Sequence, residues 1–348
     1  MAPGSRVVYV GDLWSGSTAV HRMHALVDAG ASVTPIDTQP EALLARRRSI
    51  PLRILRRVTE SADLVRANSQ ILAAAEQLSP DALWIDKGLT IAPGTLRAVR
   101  ERHPRCIIVG YSPDDMMNPG NQSRRFLAGL PQYDIYFTTK SYGVAELRKL
   151  GARRAHFIGN AYDPSTHRPM VPSEQQRAEL GGIVGFIGTW EAQRSASISQ
   201  LAAAGIPVRV WGNDWHKCQF RSDFLRLENR QLFGDDYALA LCSFDLNLCF
   251  LRKSNRDLQT TRSMEIPACG GFMLAERTDE HLALFDEGEE AEFFAGDAEL
   301  IDKAKYYLAH SAERRAIAEA GRQRCLRSGY SNQDRMSQMM NIVGSLRR

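Results

Sequence analysis

Residues 257–275, DLQTTRSMEIPACGGFMLA, contain the pattern that decides the fold. A loop carboxylate, Asp257, precedes a short helical segment, two glycines end that segment, and an apolar run follows. An apolar run without alternating polar residues is typical of a strand that is covered on both faces of a parallel sheet. The stretch therefore predicts an α/β fold in which a short helix leads into a buried strand.

The rest of the chain repeats this alternation of short apolar runs and longer helical stretches. Such alternation is typical of parallel sheets with helices on both faces. The predicted strands of a first sheet are Val7–Val10, Ser32–Ile36, Ala82–Ile85, Cys106–Tyr111, Ile135–Thr138 and His156–Ile158. Those of a second sheet are Ile183–Ile187, Val208–Trp211, Leu246–Cys249, Phe272–Ala275 and Glu292–Phe294. We therefore expect two doubly wound domains, which bind ligands at the carboxyl ends of their strands.

A proline-rich stretch of little apolar content, NAYDPSTHRPMVPSEQQ at residues 160–176, separates the two series of strands. We predict an interdomain linker there. The resulting boundaries are an N-terminal domain at 1–160, a C-terminal domain at 161–331 and a C-terminal helix at 332–348. That helix has apolar residues at helical spacing, so we expect it to pack back on the N-terminal domain.

The length, hydropathy and cysteine content of the chain argue against several classes of protein. The chain has 348 residues and a mass of 38.9 kDa, which suits two globular domains. A mean hydropathy of -0.31, with no apolar run near ~18 residues, argues against a membrane span. We see no secretory signal before the first strand. None of the six cysteines belongs to a C-x-x-C pair, so we predict reduced thiols in a cytoplasmic protein rather than disulfides or a zinc site.

Positive charge is concentrated in the first part of the chain. Residues 1–160 carry a net charge of +7 and the remainder -3. The segment Leu43–Val58 has six arginines and no acid among leucines and isoleucines. This composition suits peripheral docking on an anionic membrane, and a basic hairpin on the surface is the alternative. We predict no nucleic-acid partner.

The start of the short helix in residues 257–275 is a candidate anion site. Thr260, Thr261 and Arg262 fall at its N-terminus, where backbone N–H groups and the dipole favour a diphosphate. Glu265 lies about one turn further on and can accept hydrogen bonds from ribose hydroxyls. Asp257 precedes the helix and can bind sugar hydroxyls. The alternative for Glu265 is a capping or surface carboxylate.

Three further loops follow predicted strands. Ser15, Gly16 and Ser17 form a small-residue turn that could approach a diphosphate or an acceptor, or a plain strand–helix turn. A second loop runs from Gly188 to Arg194, and this arginine is either a phosphate ligand or a surface residue.

The third loop contains Asp114 next to Asp115, after the fourth predicted strand. Asp114 could orient an acceptor hydroxyl or accept its proton, and a capped turn is the alternative. The chain has no D-x-D motif, so we expect no metal–diphosphate site.

Residues 262–325 resemble the C-terminal domain of CgeB-like glycosyltransferases, which are related to the retaining group 1 enzymes. The resemblance rests on RSMEIPACGGFMLAERTDEHLALFDEGEEAEFFAGDAELIDKAKYYLAH and ERRAIAEAGRQRC, with further similarity in YSPDDMMN, YDIYFTTK, GNAYDPSTHRP and GFIGTW. It implies a GT-B fold, with two Rossmann-like domains facing each other across a cleft. The N-terminal domain would bind the acceptor and the C-terminal domain a nucleotide sugar.

The same resemblance implies roles for individual residues. Asp257 and Glu265 match the two acids of a Glu-x7-Glu motif, which contact the donor sugar and the ribose. Gly188 matches a diphosphate-binding segment in which Arg194 takes the place of a lysine, and Arg262 stands in for an arginine that is absent at Thr189. Asp114 occupies the neighbourhood of the catalytic-loop histidine of the group.

The expected activity is retaining, metal-independent transfer of a sugar from a nucleoside diphosphate sugar, without a cofactor. The acceptor would be a glycan, a lipid-linked molecule or a small molecule. Two alternatives remain at this point: a nucleotide-sugar epimerase or hydrolase on the same fold, and a non-catalytic sugar-nucleotide-binding protein of envelope or spore assembly.

Overall fold

Two six-stranded sheets, parallel throughout, organise residues 1–40 and 62–346, which are the residues that the computed structural model describes. Contacts divide the chain into two units. The first comprises Met1–Gly159 together with the helix that begins at Asn332, and the second comprises Asn160–Ser331.

The sheet of the first unit has the strand order β2-β1-β3-β4-β5-β6. Its strands are β1 (Arg6–Gly11), β2 (Ser32–Asp37), β3 (Ala82–Asp86), β4 (Ile107–Ser112), β5 (Ile135–Thr138) and β6 (Ala155–Phe157). The helices between them are α1 (Thr18–Asp28), α2 (Ala67–Leu78), α3 (Pro93–Arg102), α4 (Arg124–Gly129) and α5 (Gly143–Lys149). All five residues of β3 are buried, as expected for a central strand with apolar layers on both faces.

The sheet of the second unit has the order β12-β11-β10-β7-β8-β9. Its strands are β7 (Gly182–Ile187), β8 (Val208–Trp211), β9 (Leu225–Leu227), β10 (Phe244–Cys249), β11 (Met273–Glu276) and β12 (Glu292–Phe294). Its helices are α6 (Glu174–Leu180), α7 (Ala192–Ala203), α8 (Gly234–Ser243), α9 (Arg262–Ala268), α10 (Asp279–Leu284), α11 (Asp297–Ala309) and α12 (Ser311–Arg327). Two separate apolar clusters cover the two faces of this sheet.

The last helix, α13 (Asn332–Ser345), belongs to the first unit. Met336, Met339, Met340 and Val343 are buried in the apolar cluster that also contains residues of α1 and β1. Four side chains at helical spacing form this buried stripe, because residues three and four apart share one face of a helix.

The predicted α/β architecture of two doubly wound parallel sheets is confirmed. Eleven predicted strands correspond to observed ones, and the sequence interpretation missed the edge strand β9. This strand has only three residues, and Arg226 at its centre is exposed. So short a run carries no periodic signal.

The predicted interdomain linker at residues 160–176 begins at the boundary between the two units, and its residues belong to the second unit. Tyr162, Asp163 and His167 are buried within the second unit, and the N–H of Tyr162 donates to the carbonyl of Tyr330 at 3.1 Å. A capping box at Ser173 starts α6 before the stretch ends. The segment looked like a linker because its few buried groups are mostly polar and pair by hydrogen bonds rather than by apolar packing.

The membrane-docking prediction for Leu43–Val58 lies outside the described residues. Among the residues that are described, no helix combines the length and apolar character needed to cross a bilayer.

Candidate functional site

The start of α9 is tied to the end of β11 by a buried chain of hydrogen bonds. The N–H of Thr260 donates to Ser263 Oγ at 3.1 Å, and Ser263 Oγ lies 2.7 Å from His281 Nε2. His281 Nδ1 lies 2.7 Å from the carbonyl oxygen of Glu276, so Nδ1 carries the proton and Nε2 accepts from the serine. Burial lowers the pKa of His281, which favours this neutral form.

Arg194 and Arg262 converge on one carbonyl group and one aromatic ring. Arg194 lies in the first turn of α7, and Arg262 is the first residue of α9. Each guanidinium donates to the carbonyl oxygen of Phe250 at 3.4 Å. Each also has its Cζ 5.6 Å from the ring centroid of Phe186, at cation–π distance. The predicted phosphate ligands Arg194 and Arg262 are therefore neighbours.

The charges of these two arginines are poorly neutralised. Arg194 is 2% exposed, and its Nε lies 3.7 Å from Glu191 Oε2. In residues 1–40 and 62–346, no carboxylate lies within ion-pair distance of Arg262, and the Nε atoms of both arginines are buried without a hydrogen-bond partner. Burial and the nearby Arg262 lower the pKa of Arg194 to about 10. The pair can therefore hold an anion such as a diphosphate.

Gly188 lies directly beside this arginine pair. It follows β7, and its carbonyl accepts a hydrogen bond from Trp215 Nε1 at 2.8 Å. A Cβ atom at this position would lie 2.7 Å from the Phe186 ring and 3.5 Å from Arg262 Nη1. The close approach of the Phe186 ring to the backbone thus favours a glycine here.

Glu265 is buried one turn beyond Arg262 and is held by two side chains. Tyr237 of α8 donates its hydroxyl to Glu265 Oε2 at 2.6 Å, and His167 Nε2 lies 3.8 Å from Glu265 Oε1. His167 Nδ1 accepts the N–H of Asp163 at 2.9 Å, so its proton is on Nε2, facing the carboxylate. Burial and the Glu265 charge raise the pKa of Tyr237. Glu265 is therefore a fixed acceptor rather than a loose surface carboxylate.

Asp257 is buried in the loop before α9. Its Oδ1 accepts a hydrogen bond from Asn255 Nδ2 at 2.7 Å, and its Oδ2 lies 3.4 Å from the N–H of Arg252. Asp257 also stabilises the charged form of Arg194, since its carboxylate raises the pKa of that guanidinium. Thr261 is the N-cap of α9 and makes no side-chain capping bond.

The remaining predicted residues belong to the first unit. Ser17 caps α1 by accepting the N–H of Ala19 at 3.2 Å, in the turn that also contains Ser15 and Gly16. Asp114 forms an ion pair with Lys87 at 2.7 Å, and this pairing raises the pKa of Lys87 against the cost of its burial.

A buried ion pair lies at the carboxyl end of β3, next to the residue that pairs with Asp114. Arg22 Nη2 contacts Asp86 Oδ2 at 2.7 Å, and Tyr9 donates its hydroxyl to the same oxygen at 3.1 Å. The guanidinium of Arg22 also lies 4.4 Å from the ring centroid of Tyr111.

The sequence analysis did not identify several residues that lie around Glu265 and the arginine pair in the second unit and around Asp114 in the first. Their local sequence patterns point only weakly to a site. His167 lies in the stretch GNAYDPSTHRP that supported the family resemblance, and Lys87 lies two residues after a predicted strand. Tyr237 has no local motif, and Phe250 contributes a backbone carbonyl, which any residue type could supply.

Comparison with known proteins adds a family match and a set of similar folds. Residues 194–341 match the model of a family described as glycosyl transferase-like. The chain is similar to sucrose-phosphate synthase from Thermosynechococcus elongatus, with a TM-score of 0.68 and 14% identity, covering 98% of this chain and 99% of that chain. It is also similar to Anabaena HepE in complex with UDP and glucose, with a TM-score of 0.65 and 12% identity over 98% and 100% of the two chains. A third similar structure is α,α-trehalose 6-phosphate synthase from Burkholderia multivorans, with a TM-score of 0.61 and 11% identity over 99% and 97%. No curated protein sequence matches the chain.

The structural likenesses establish that the chain has the GT-B fold. The family match covers Arg194, Arg262 and Glu265. Together, the family match and the fold indicate a GT-B glycosyltransferase.

Proposed function

We propose that this protein transfers a sugar from a nucleoside diphosphate sugar to an acceptor hydroxyl, with the donor bound in the second unit. The observation that carries the proposal is the Arg194–Arg262 pair. Its two guanidiniums donate to one carbonyl oxygen, and among the described residues only Glu191, 3.7 Å from Arg194, is a carboxylate at ion-pair distance. The UDP and glucose bound to the similar HepE structure support a nucleotide sugar as donor.

In this mechanism the arginine pair binds the diphosphate. As the bond between the anomeric carbon and the diphosphate breaks, negative charge grows on the leaving oxygen, and the two cations stabilise it. Gly188 leaves room for the Phe186 ring that contacts both guanidiniums, and Thr260 and Thr261 form the adjoining loop. Glu265 accepts hydrogen bonds from the ribose, while Asp257 orients the hydroxyls of the donor sugar.

The first unit would present the acceptor, with Asp114 and the Ser15–Ser17 turn near its hydroxyl. Asp114 pairs with Lys87 at 2.7 Å, so the lysine holds its carboxylate in one position. We therefore assign Asp114 the orientation of the acceptor rather than the removal of its proton.

Two finer features of the proposal rest on particular observations. The two guanidiniums supply the positive charge that a metal ion would otherwise supply, which supports metal-independent transfer. The CgeB-like signature in residues 262–325 supports retention of the anomeric configuration.

Calorimetric titration with UDP, GDP, dTDP and CDP, followed by their sugars, tests the proposal. We expect one nucleotide to bind to the wild type and to bind much more weakly to Glu265→Ala. Asp114→Ala should keep that affinity and lose sugar transfer. Glu179→Ala, at an exposed position of α6, is the matched control. Equal affinity in Glu265→Ala and Glu179→Ala would refute the assignment of the site.

One observation favours epimerisation as a second candidate. Glu265 lies between Tyr237 and His167, and such groups can move protons at a sugar carbon. Product analysis without any acceptor separates the two activities, since an epimerase releases an altered nucleotide sugar and a transferase requires the acceptor. Tight nucleotide binding without either product would instead favour a non-catalytic binding protein.

A further inference from the structure

The loop that leads into α9 is hydrogen-bonded to the start of α10. Thr278, the N-cap of α10, donates its hydroxyl to the carbonyl oxygen of Leu258 at 2.6 Å. The buried side chain of Gln259 donates its Nε2 to Glu280 Oε2 at 2.8 Å. These bonds hold the beginning of the loop of residues 258–263 against a neighbouring element of the second unit.

A further hydrogen bond holds the end of the same loop and is out of reach of any ligand. Ser263 and His281 both have 0% exposure, and their Oγ and Nε2 atoms lie 2.7 Å apart. The His281 ring is itself fixed, because its Nδ1 donates to the carbonyl oxygen of Glu276 at 2.7 Å and its face stacks on Phe293 with 5.6 Å between ring centroids. Any influence of this pair on a bound molecule must therefore pass through a neighbouring residue.

Arg262 is the neighbouring residue that can transmit this influence. It directly precedes Ser263, and its half-buried guanidinium donates to the carbonyl oxygen of Phe250 at 3.4 Å. Ser263 Oγ accepts the N–H of Thr260 at 3.1 Å, and the N–H of Ser263 donates to the carbonyl oxygen of Thr260 at 3.0 Å. Thr260 and Ser263 thus close a turn around Arg262, and the bond from Ser263 to His281 anchors that turn.

We propose that His281 is a positioning residue for donor binding, which acts through Ser263 and holds the turn around Arg262 in the conformation that accepts a nucleoside diphosphate. A loop that is already ordered in the free protein loses little conformational freedom when its ligand binds, so the affinity is higher. The consequence for the nucleotide rests on the proposed function, whereas the ordering of the turn does not.

Two amide variants separate the hydrogen bonds of His281. In His281→Gln, the side-chain oxygen can take the place of Nε2 and accept the hydroxyl of Ser263. In His281→Asn, the shorter amide can take the place of Nδ1 and donate to the carbonyl of Glu276, but it does not reach Ser263. Both variants remove the stacking on Phe293. They therefore differ chiefly in the contact with Ser263, on which the positioning role depends.

Hydrogen–deuterium exchange of the unliganded full chain measures the ordering of the turn. We expect the amides of residues 258–263 to exchange about 3- to 10-fold faster in His281→Asn than in the wild type, and to exchange at the wild-type rate in His281→Gln. Ser263→Ala removes the same bond, so it should match His281→Asn, add little to it in the double variant, and replace it if His281→Asn does not fold. His310→Asn, at an exposed histidine of the second unit, is the control and should leave the loop unchanged.

Calorimetric titration with UDP, GDP, dTDP and CDP then measures the effect on binding. The nucleotide that the wild type binds should bind about 3- to 10-fold more weakly to His281→Asn and with wild-type affinity to His281→Gln. Wild-type exchange in His281→Asn, equally fast exchange in the two amide variants, or unchanged affinity in His281→Asn would each overturn the positioning role. A wild type that binds none of these nucleotides would refute the donor site, and with it the role of His281 in binding, while the exchange rates would still decide the ordering of the turn.

Discussion

Arg194 and Arg262 donate to the same acceptor, the carbonyl oxygen of Phe250, at 3.4 Å each. A single carbonyl and the face of Phe186 cannot neutralise two guanidinium charges. Glu191, 3.7 Å from Arg194, is the only carboxylate of the described residues at ion-pair distance from either guanidinium, so two neighbouring cations share one counter-ion. When one of these arginines is replaced by a neutral residue, we expect the affinity for an anionic ligand to fall and the stability of the unliganded protein to stay the same or rise.

Arg262→Met should weaken the binding of a nucleoside diphosphate without destabilising the unliganded protein. Hydrogen bonds to charged groups contribute about 1.5–3 kcal/mol, which corresponds to a loss of affinity of about 10- to 100-fold. Loss of the repulsion from Arg262 should leave Tm unchanged or raised. Calorimetry and thermal unfolding measure the two effects. Arg226→Met, at an exposed position of β9, is the control, and equal affinity in the two variants would contradict the anion site.

Gly188→Ala should disturb the same site through Phe186. The added Cβ would lie 2.7 Å from the Phe186 ring and must displace it from beneath the two guanidiniums. Overpacking of this kind costs about 1–3 kcal/mol, so we expect a lower free energy of unfolding in urea and weaker nucleotide binding. Gly94→Ala adds the same atom in open space at an exposed position of α3 and should do neither. A Gly188→Ala protein as stable as the Gly94→Ala control would show that Phe186 relaxes freely.

Tyr237→Phe should cost about 1–3 kcal/mol of unfolding free energy, because it leaves a buried oxygen of Glu265 without its donor. The same change at Tyr306 removes a tyrosine–glutamate bond of 3.0 Å at an exposed position and should cost less than about 0.5 kcal/mol. Urea unfolding compares the two variants. If the Tyr237 and Tyr306 variants lose the same free energy of unfolding, the burial of Glu265 does not strengthen its hydrogen bond with Tyr237.

Glu299→Gln should lower stability more at pH 7 than at pH 3. Hydrogen bonds from Arg277 lower the pKa of Glu299 to about 2, below its ordinary value of 4.5. A lowered pKa in the folded state gives stability that is present above the unfolded pKa and is lost as pH falls toward 2. Because the pair is partly exposed, we expect less than about 1 kcal/mol at pH 7. Urea unfolding between pH 7 and pH 3 should show the gap closing, and Glu101→Gln on α3 should show no such trend.

Local sequence patterns were sufficient to predict most of the fold and part of the candidate site. The apolar runs predicted eleven strands, and the run of residues 257–275 predicted a helix that starts near Arg262 and a strand that follows it. These features depend on residues that are neighbours in sequence, so periodicity and glycine stops are sufficient to find them.

Contacts between distant segments could not be predicted in this way. His167 contacts Glu265, which lies 98 positions further along the sequence. The group that donates to the other ring nitrogen of His167 is the backbone N–H of Asp163. The acceptor shared by Arg194 and Arg262 is likewise a backbone carbonyl, which leaves no trace in residue type. Tertiary packing, rather than any spacing of residues, creates these relationships.

The bridge between Tyr162 and Ser331 places the two ends of the second unit side by side. A unit whose two ends meet can be expressed by itself as a circularly permuted protein, with a short peptide joining the original ends. The second unit can therefore be exchanged between chains of this fold with only two splice points, at residues 159/160 and 331/332.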